Sequence, residues 1–485
     1  MPVLDPLKQE IRQLERREDL LQSNIKQLQV LLEETQASLS EKRIKATTLQ
    51  NLLAPVSRLP NEMLLAIFEE AVSSPPEKEM WVPIDISHVC HRWREVAISS
   101  PRLWRHIWVM PSIKLHLLEA YVARASASRY LDVHFFNWRE RKDFQRFDAA
   151  LEFILPSIER WRSLSISSMC DTKIQHLANK LKKSSFPVLR HFSFRALRPG
   201  QTCIGLFSAN DDCPALKTFD AENFSLSGDL TGNRSKMLQV FSKLTSLTLR
   251  RYSNDTRLLR TMIDSTVFRT LLNSTPGLTT LVLHGQPLRF RIGAPVDGES
   301  TVVSMPHLQN LILHPGVLKP RYLQQTISSI HAPSLRHFEL VFPDSKMSGQ
   351  NVVELLFDAK TRKPRFPLVS TVVLHNASNS STATSFIHAF PYASHVTLGG
   401  VDVGFFPQVL RARVYNAYPY TYERIYDPRA SYPCWHRLRS LMLRSAKPEM
   451  LRMVREWIRD EWDRGHHPPT VLVEGSVVDW DSTAM

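Results

Sequence analysis

The chain has 485 residues, 61 Lys and Arg against 47 Asp and Glu, a net charge of +14 and 43% hydrophobic residues, a globular composition long enough for two to four domains and inclined toward acidic partners. Only 15 residues are glycine, against an ordinary share of about 7%, which argues against glycine-rich phosphate loops and doubly wound nucleotide folds. Five scattered cysteines (Cys90, Cys170, Cys203, Cys213, Cys434), no apolar run near the ~20 residues of a membrane span and no basic-then-apolar leader predict free thiols and a cytoplasmic or nuclear protein that does not meet a membrane.

From residue 7 to residue 53 a seam steps alternately by four and three: Leu7, Ile11, Leu14, Glu18, Leu21, Ile25, Leu28, Leu32, Thr35, Leu39, Lys42, Ala46, Leu49, Leu53. Ten of these fourteen are Leu or Ile, and no proline or glycine interrupts them. A heptad seam held for about six heptads predicts a coiled coil over residues 1–53, a rod of about 70 Å. With Leu7 at d, Ile11 and Ile25 fall at a and Leu14, Leu21 and Leu28 at d, which in a parallel coil favours two strands. Glu18, Thr35 and Lys42 weaken the seam and serve to fix its register. Self-association through residues 7–53 is the expectation, although a helix folded back on its own chain or simply solvated would carry the same pattern. Pro55 ends the helix.

Residues 54–109 read as a small helical unit. Leu59-Pro60 opens a helix, with Glu62 in the first turn and Met63, Leu64, Ile67, Phe68 and Ala71 in one apolar stripe. A second helix is predicted over Ile86–Ile98, with Val89, Cys90, Trp93, Val96 and Ala97 on its apolar side, followed by Pro101-Arg102-Leu103-Trp104. So small a unit buries only about 60% of its surface, so some of Leu59, Ile67, Phe68, Trp93 and Trp104 should meet a partner. The three segments, Leu-Pro-x-Glu-x-Leu-x-x-Ile-Phe at 59–68, Val-Cys-x-x-Trp at 89–93 and Pro-x-Leu-Trp at 101–104, resemble the F-box, most nearly the F-box-like group abundant in mushroom-forming fungi. That resemblance implies docking onto the Skp-type adaptor of a cullin-based SCF ubiquitin ligase. Leu59, Pro60, Leu64, Ile67 and Phe68 would dominate the contact, with Trp93 and Trp104 supporting it. Two departures are a Pro- and Glu-rich insert from Ser73 to Pro83 and Met63 where the family usually has leucine. An ordinary helical hairpin buried in a larger domain is the plainer alternative.

Residues 110–127 read as a connecting helix, and Leu131–Phe135 alternates as a strand. From there to about residue 445 the motif Pro-x-Leu-x-x-Leu-x-Leu recurs with substitutions. Its first anchors are Trp161, Leu189, Leu216, Leu244, Leu278, Leu308, Leu335, Val369, Ala393 and Leu438, mostly 24 to 34 residues apart with one gap of 45. Such a period means stacked supersecondary units, and Leu-x-x-Leu-x-Leu is the strand signature of leucine-rich repeats. The fold class predicted is therefore α/β: an N-terminal coiled-coil helix, a small helical F-box, then a leucine-rich-repeat-like solenoid with a parallel sheet over 128–485. Helical returns are predicted at Arg257–Leu272, Leu323–Ile330 and Val352–Phe357. The usual asparagine three residues after the last anchor is missing, so the copies are degenerate. One α/β domain whose strands share a pattern stays open beside this. Pro448–Asp463 is amphipathic and Thr470–Val473 reads as a strand, together a C-terminal cap.

In each copy the residue just after the third anchor alternates away from the core. That column reads Ser167, Arg195, Glu222, Arg250, His284, His314, Val341, His375, Gly399, Arg444. Six of the ten are Arg or His against one acid, predicting a basic stripe that takes a carboxylate or phosphate, with histidines titrating near ~6.5. Arg195, Arg250, His284, His314, His375 and Arg444 are the candidate target contacts, and an acidic or phosphorylated target segment is the expected ligand. The segment between Val401 and Trp435 is the alternative site.

No P-loop, no Gly-x-Ser-x-Gly elbow, no His-Glu-x-x-His and no Cys-x-x-Cys occurs. Gly399-Gly400 lacks a dinucleotide turn, His466-His467 diverge too much to chelate, and Cys90 reads as packing. No enzyme, metal or cofactor is expected. Two roles remain: a ubiquitin-ligase substrate receptor, or a repeat-protein scaffold without a ligase role. Nucleic-acid binding is disfavoured because the charge is spread along the chain.

Overall fold

The structure is a computed structural model that describes residues 4–73, 81–140, 142–181, 184–197, 213–223, 240–251, 262–290, 302–315, 320–342, 355–358, 361, 363–376, 386, 389–400, 438–444, 448–463, 469–473 and 476–477. The chain divides into two compact units, Met1–Leu103 and Trp104–Met485.

In the first unit, α1 (Leu4–Leu53) is an uninterrupted 50-residue helix. Ala54, held extended ahead of Pro55 (ψ 136°), ends it. Along its seam the ten Leu and Ile side chains lie 48–78% exposed. A single turn of 3-10 helix (Pro55–Arg58) leads to α2 (Asn61–Ser73), whose first helical bond runs from the Leu64 N–H to the Pro60 carbonyl at 3.1 Å. The single helix predicted over Ile86–Ile98 is corrected: there are two, α3 (Val82–Val89) and α4 (His91–Ile98). Cys90 breaks them by adopting an extended conformation (φ −156°, ψ 172°) while its carbonyl accepts the first bond of α4 from Arg94. The break lets Ile86 of α3 and Val96 and Ala97 of α4 turn inward together, and leaves Val89 outside.

The second unit is built on a 14-stranded sheet. In chain order its strands are β1 (His106–Val109), β2 (Leu131–Phe136), β3 (Trp161–Ser167), β4 (His191–Arg195), β5 (Thr218–Glu222), β6 (Ser246–Arg251), β7 (Thr280–Gly285), β8 (Asn310–His314), β9 (His337–Val341), β10 (Thr371–His375), β11 (His395–Gly399), β12 (Ser440–Arg444), β13 (Thr470–Val473) and β14 (Ser476–Val477). Each pairs only with its sequence neighbours in this sheet. The first thirteen run parallel, and β14 turns back antiparallel on β13. This is the solenoid-like α/β arrangement the repeat spacing predicts. The anchors fall in register: Leu164, Phe192, Phe219, Leu247, Leu281, Leu311, Phe338, Val372, Val396 and Leu441 form one column. All are 0–3% exposed. Side chains alternate along a strand, so these strands bury the second and fourth residues and turn the first, third and fifth outward.

The proline of the motif has a structural reason. Nine first anchors donate their N–H to the carbonyl three residues back, for example Leu189 to Phe186 (3.3 Å), Leu278 to Thr275 (3.1 Å) and Ala393 to Phe390 (3.2 Å). Pro187, Pro214, Pro276, Pro306, Pro333, Pro367 and Pro391 each occupy the second position of such a turn, where their fixed φ fits and their missing N–H is not needed. At the other strand end the absent asparagine has a counterpart. Two residues after the last anchor, Asn137, Ser168, Asn223, Gly285, Asn376 and Gly400 adopt positive φ (54° to 66°). All but Ser168 are glycine or asparagine, the residue types that tolerate the left-handed region.

Between strands run α5 (Leu115–Arg124), α6 (Phe144–Ile154), α7 (Asp171–Leu181), α8 (Ser265–Asn273) and α9 (Pro320–Ser328). Two-residue parallel pairs join 263–264 to 288–289 and 303–304 to 330–331. Of the predicted helical returns, two are present with shifted bounds. The third is not helical where it is described: Phe357 instead bridges to Pro364. C-terminally, α10 (Pro448–Asp463) buries Val454 and Ile458, and β13 caps the sheet as expected.

The boundaries predicted at 109 and 127 move. Trp104, Ile107 and Val109 have the anchor spacing of the repeats and are all fully buried. The solenoid therefore begins there, and α5 is its first return helix rather than a connector. Val401–Trp435, Cys203, Cys434 and His466–His467 lie outside the described residues.

Candidate functional site

On the helical unit, the sequence places a leucine and a proline just before α2, and Arg92 of α4 holds them there. Its Nη1 donates to the Ser57 carbonyl (2.7 Å), its Nε to Asn61 Oδ1 (2.9 Å) and its Nη2 to the Leu59 carbonyl. Hydrogen bonds from a guanidinium are roughly twice as strong as neutral ones. Arg92 thus fixes the Leu59-Pro60-Asn61 turn against a helix some thirty residues further on. Sequence reading passed over it, because one arginine inside Val-Cys-x-x-Trp gives no hint that its partners are two backbone carbonyls and one side chain some thirty residues away.

The predicted contact residues separate into two groups. Pro60 is exposed and Ile67 is 49% exposed, alongside Met63 at 53% on the same face one turn earlier; Leu59 and Trp93 are half-buried. Leu64 and Phe68 are buried, Phe68 with its ring centroid 4.8 Å from that of Trp93. They brace the helix from inside, so the single apolar stripe read from the sequence is two faces. Trp104 is fully buried in the other unit, edge-on to Tyr121 at 4.8 Å with the Arg124 guanidinium 4.3 Å over its ring. It is a repeat anchor and offers no surface.

The predicted target column does line up on the sheet. Ser167, Arg195, Glu222, Arg250 and His284 follow one another in register, as do Val341, His375, Gly399 and Arg444. A side chain at Gly399 would collide with the His375 imidazole, so glycine is what lets that ring lie against β11. The stripe is less basic than its composition. Arg250 Nη1 donates to both carboxylate oxygens of Asp220, at 2.7 and 2.6 Å. His314 Nε2 lies 2.7 Å from Glu339 Oε1, and His337 is 3.6 Å from the other oxygen. Hydrogen bonds from His314 and His337 hold the Glu339 carboxyl well below the usual carboxylate range. His284 stands edge-on to His314 with centroids 4.5 Å apart. Burial, with His314 and Arg250 adding to it, pushes His284 down to about 4. Burial likewise lowers His375, with Arg444 adding to it against the opposing pull of Glu339. Both imidazoles are therefore neutral at pH 7, and the expectation that they titrate near 6.5 is corrected. Arg195 and Arg444 are the exposed arginines of the column. Half-buried Val282, Ile312 and Met442, with Val373 buried between the last two, give the centre of the face an apolar strip.

At the N-terminal end of the sheet lies a cluster that sequence reading missed. The Trp108 and His134 rings stack at 4.4 Å (19° between planes), and Phe136 stands edge-on to Trp108 at 6.3 Å. Below them Asp132, 3% exposed, pairs with Arg162 and lies 3.7 Å from Arg105 and 3.6 Å from His106. Burial pushes His106 and His134 each down to about 4. The signal is the alternation of His106-Ile107-Trp108-Val109, which follows Pro101-Arg102-Leu103-Trp104 without a break and so reads as the tail of the helical unit.

Two family models match the chain. One, described as F-box-like, matches residues 56–110. The other, described as FBD-associated F-box protein At5g56370, LRR repeats, matches residues 198–395. The repeat family is plant-derived and lends nothing to a specifically fungal kinship. No curated protein matches the chain. F-box and leucine-rich-repeat domains are interaction domains without catalysis of their own, and F-box domains generally bind Skp-type adaptors. Among the described residues no three His, Cys, Asp or Glu side chains are grouped to hold a metal ion, and no helix is long and apolar enough to cross a membrane.

Proposed function

We propose that this chain is a substrate-recognition subunit of a cullin-based SCF-type ubiquitin ligase, working in the cytoplasm or nucleus. The helical unit holds a Skp-type adaptor, and the outward face of the sheet holds a target protein. The observation that carries the adaptor half is the turn clamped by Arg92, which presents Pro60 beside exposed Met63 and Ile67 on a unit that matches the F-box-like family. Large apolar anchors carry most of the energy of such contacts, about 2 kcal/mol or more each. The role is geometric: tethering the target beside the ubiquitin donor raises its effective concentration, as in any linked pair of binding modules.

For the target half, two features of the sheet support binding. The Trp108–His134–Phe136 cluster supplies the aromatic anchors in which hot spots are enriched. Arg195 and Arg444 supply exposed guanidinium groups for a carboxylate or phosphate on the target. Purification of the full chain with a Skp-type adaptor tests the adaptor half. A stoichiometric complex is expected, and replacing Leu59→Ala with Pro60→Ala removes it while the sheet keeps its melting transition. A chain that stays folded and never binds the adaptor would instead be a repeat scaffold with no ligase role.

A further inference from the structure

The long helix α1 leaves the Leu and Ile side chains of its seam 48–78% exposed, and the seam has an internal symmetry about residue 30. Reversing the helix about that point carries Leu7 onto Leu53, Glu18 onto Lys42 and Leu28 onto Leu32. Every a position meets a d position, as antiparallel packing of two copies requires. The only two charged seam residues, Glu18 and Lys42, are each other's images. We propose that the partner of α1 is a second copy of this chain, packed antiparallel, with Glu18 of each helix against Lys42 of the partner subunit.

A parallel pairing is disfavoured by charge. In register it sets Glu18 against Glu18 and Lys42 against Lys42 inside the seam, and Glu10 at g against Glu15 at e beside it. Polar seam residues and flanking charges are what set register and orientation in coiled coils. Shifting the antiparallel pair by one heptad either way shortens the seam and puts each charge opposite an uncharged residue. Thr35 does not spoil the alignment, because its hydroxyl already donates to the Leu32 carbonyl at 2.9 Å and leaves its methyl for the seam. Glu18 otherwise accepts only at 3.3 Å, from Gln22 of its own helix. Fourteen seam positions with as many flanking ones match the roughly 20–30 residues a side of a stable interface. Because each chain leaves its helix at Leu53, the two exits lie at opposite ends of a rod about 75 Å long. The dimer therefore holds its two adaptor-binding units apart rather than side by side.

Light scattering of the full-length chain at micromolar concentration is the first test, and a dimer is expected. Glu18→Lys or Lys42→Glu alone weakens it at least tenfold, and the double swap restores it, because each seam charge then faces its opposite again. In a parallel dimer the swap exchanges one like-charge pair for another and rescues nothing. A second measurement fixes orientation: with Leu14→Cys and Ala46→Cys introduced together, mild oxidation should give 14-to-46 cross-links between chains, read by mass spectrometry. A monomeric wild type, or 14-to-14 and 46-to-46 links, overturns the proposal.

Discussion

Two regions of this chain use regularly spaced leucine to opposite ends. In α1 the Leu and Ile residues of the seam are 48–78% exposed, whereas Leu247, Leu281 and Leu311 of the sheet are 0–1% exposed. The residue type is the same; what differs is where the matching surface comes from. Each repeat strand is covered by the next repeat and its return segment, so the chain completes its own core. A heptad seam is a narrow stripe on a helix, and only another helix fills it. Periodicity therefore announces a surface to be matched, and only the fold says whether the match lies in the same molecule. The F-box-like unit stands between these cases, with Leu64 and Phe68 sealed and Met63 and Ile67 left outside.

The sharpest way to break this comparison is to cut the same group from both regions. Leu311→Ala opens a cavity in the sheet and should cost about 2–5 kcal/mol, measured by denaturant unfolding. Leu28→Ala should leave that transition in place and act on association. Next in size is Ile67→Asp, which should weaken adaptor binding at least thirtyfold, the equivalent of about 2 kcal/mol, with the sheet's melting unchanged; a calorimetric titration reads it. Arg92→Lys keeps the charge but loses the planar fork that reaches three acceptors, and about a tenfold loss of adaptor affinity is expected.

Acid should act on the sheet unit. His106, His134 and His284 have folded pKa values of about 4 against 6.5 for the free side chain. Between those values the unfolded chain binds the proton and the folded chain does not, so stability falls as pH drops from about 6.5 to 4. Glu339, whose folded pKa is depressed, adds stability above about 4.5 that is lost at still lower pH. Thermal melts across that range check the sign, and replacing His284 with Gln should flatten part of the slope. The smallest effect is at Arg250 and Asp220. Their side chains are 24% and 29% exposed, so Arg250→Ala should cost no more than about 1 kcal/mol.

How much was legible follows the range of the interactions. The anchor columns could be read directly, because Leu-x-x-Leu-x-Leu encodes burial within one strand and the stacking repeats it. The first strand was missed although Trp104, Ile107 and Val109 carry the same spacing, because the preceding Pro-x-Leu-Trp fitted the helical unit. The break at Cys90 left no proline or glycine to announce it. The basic stripe misleads for a different reason: a column of residue types shows each side chain without its cross-strand partner. Asp220 neutralises Arg250 from the neighbouring strand, thirty residues earlier in sequence, and Glu339 gathers two histidines from two strands. Arg92 belongs with these, since two of its three acceptors are backbone carbonyls, which sequence does not display.

Hydrogen exchange of the full-length chain, with and without a saturating Skp-type adaptor, tests the division of labour most directly. New protection should be confined to residues 59–68 and to α3 and α4, with the strands from β1 to β13 unchanged. Protection that appears on the strand face, or none anywhere despite binding, would contradict the assignment of adaptor and target to separate units.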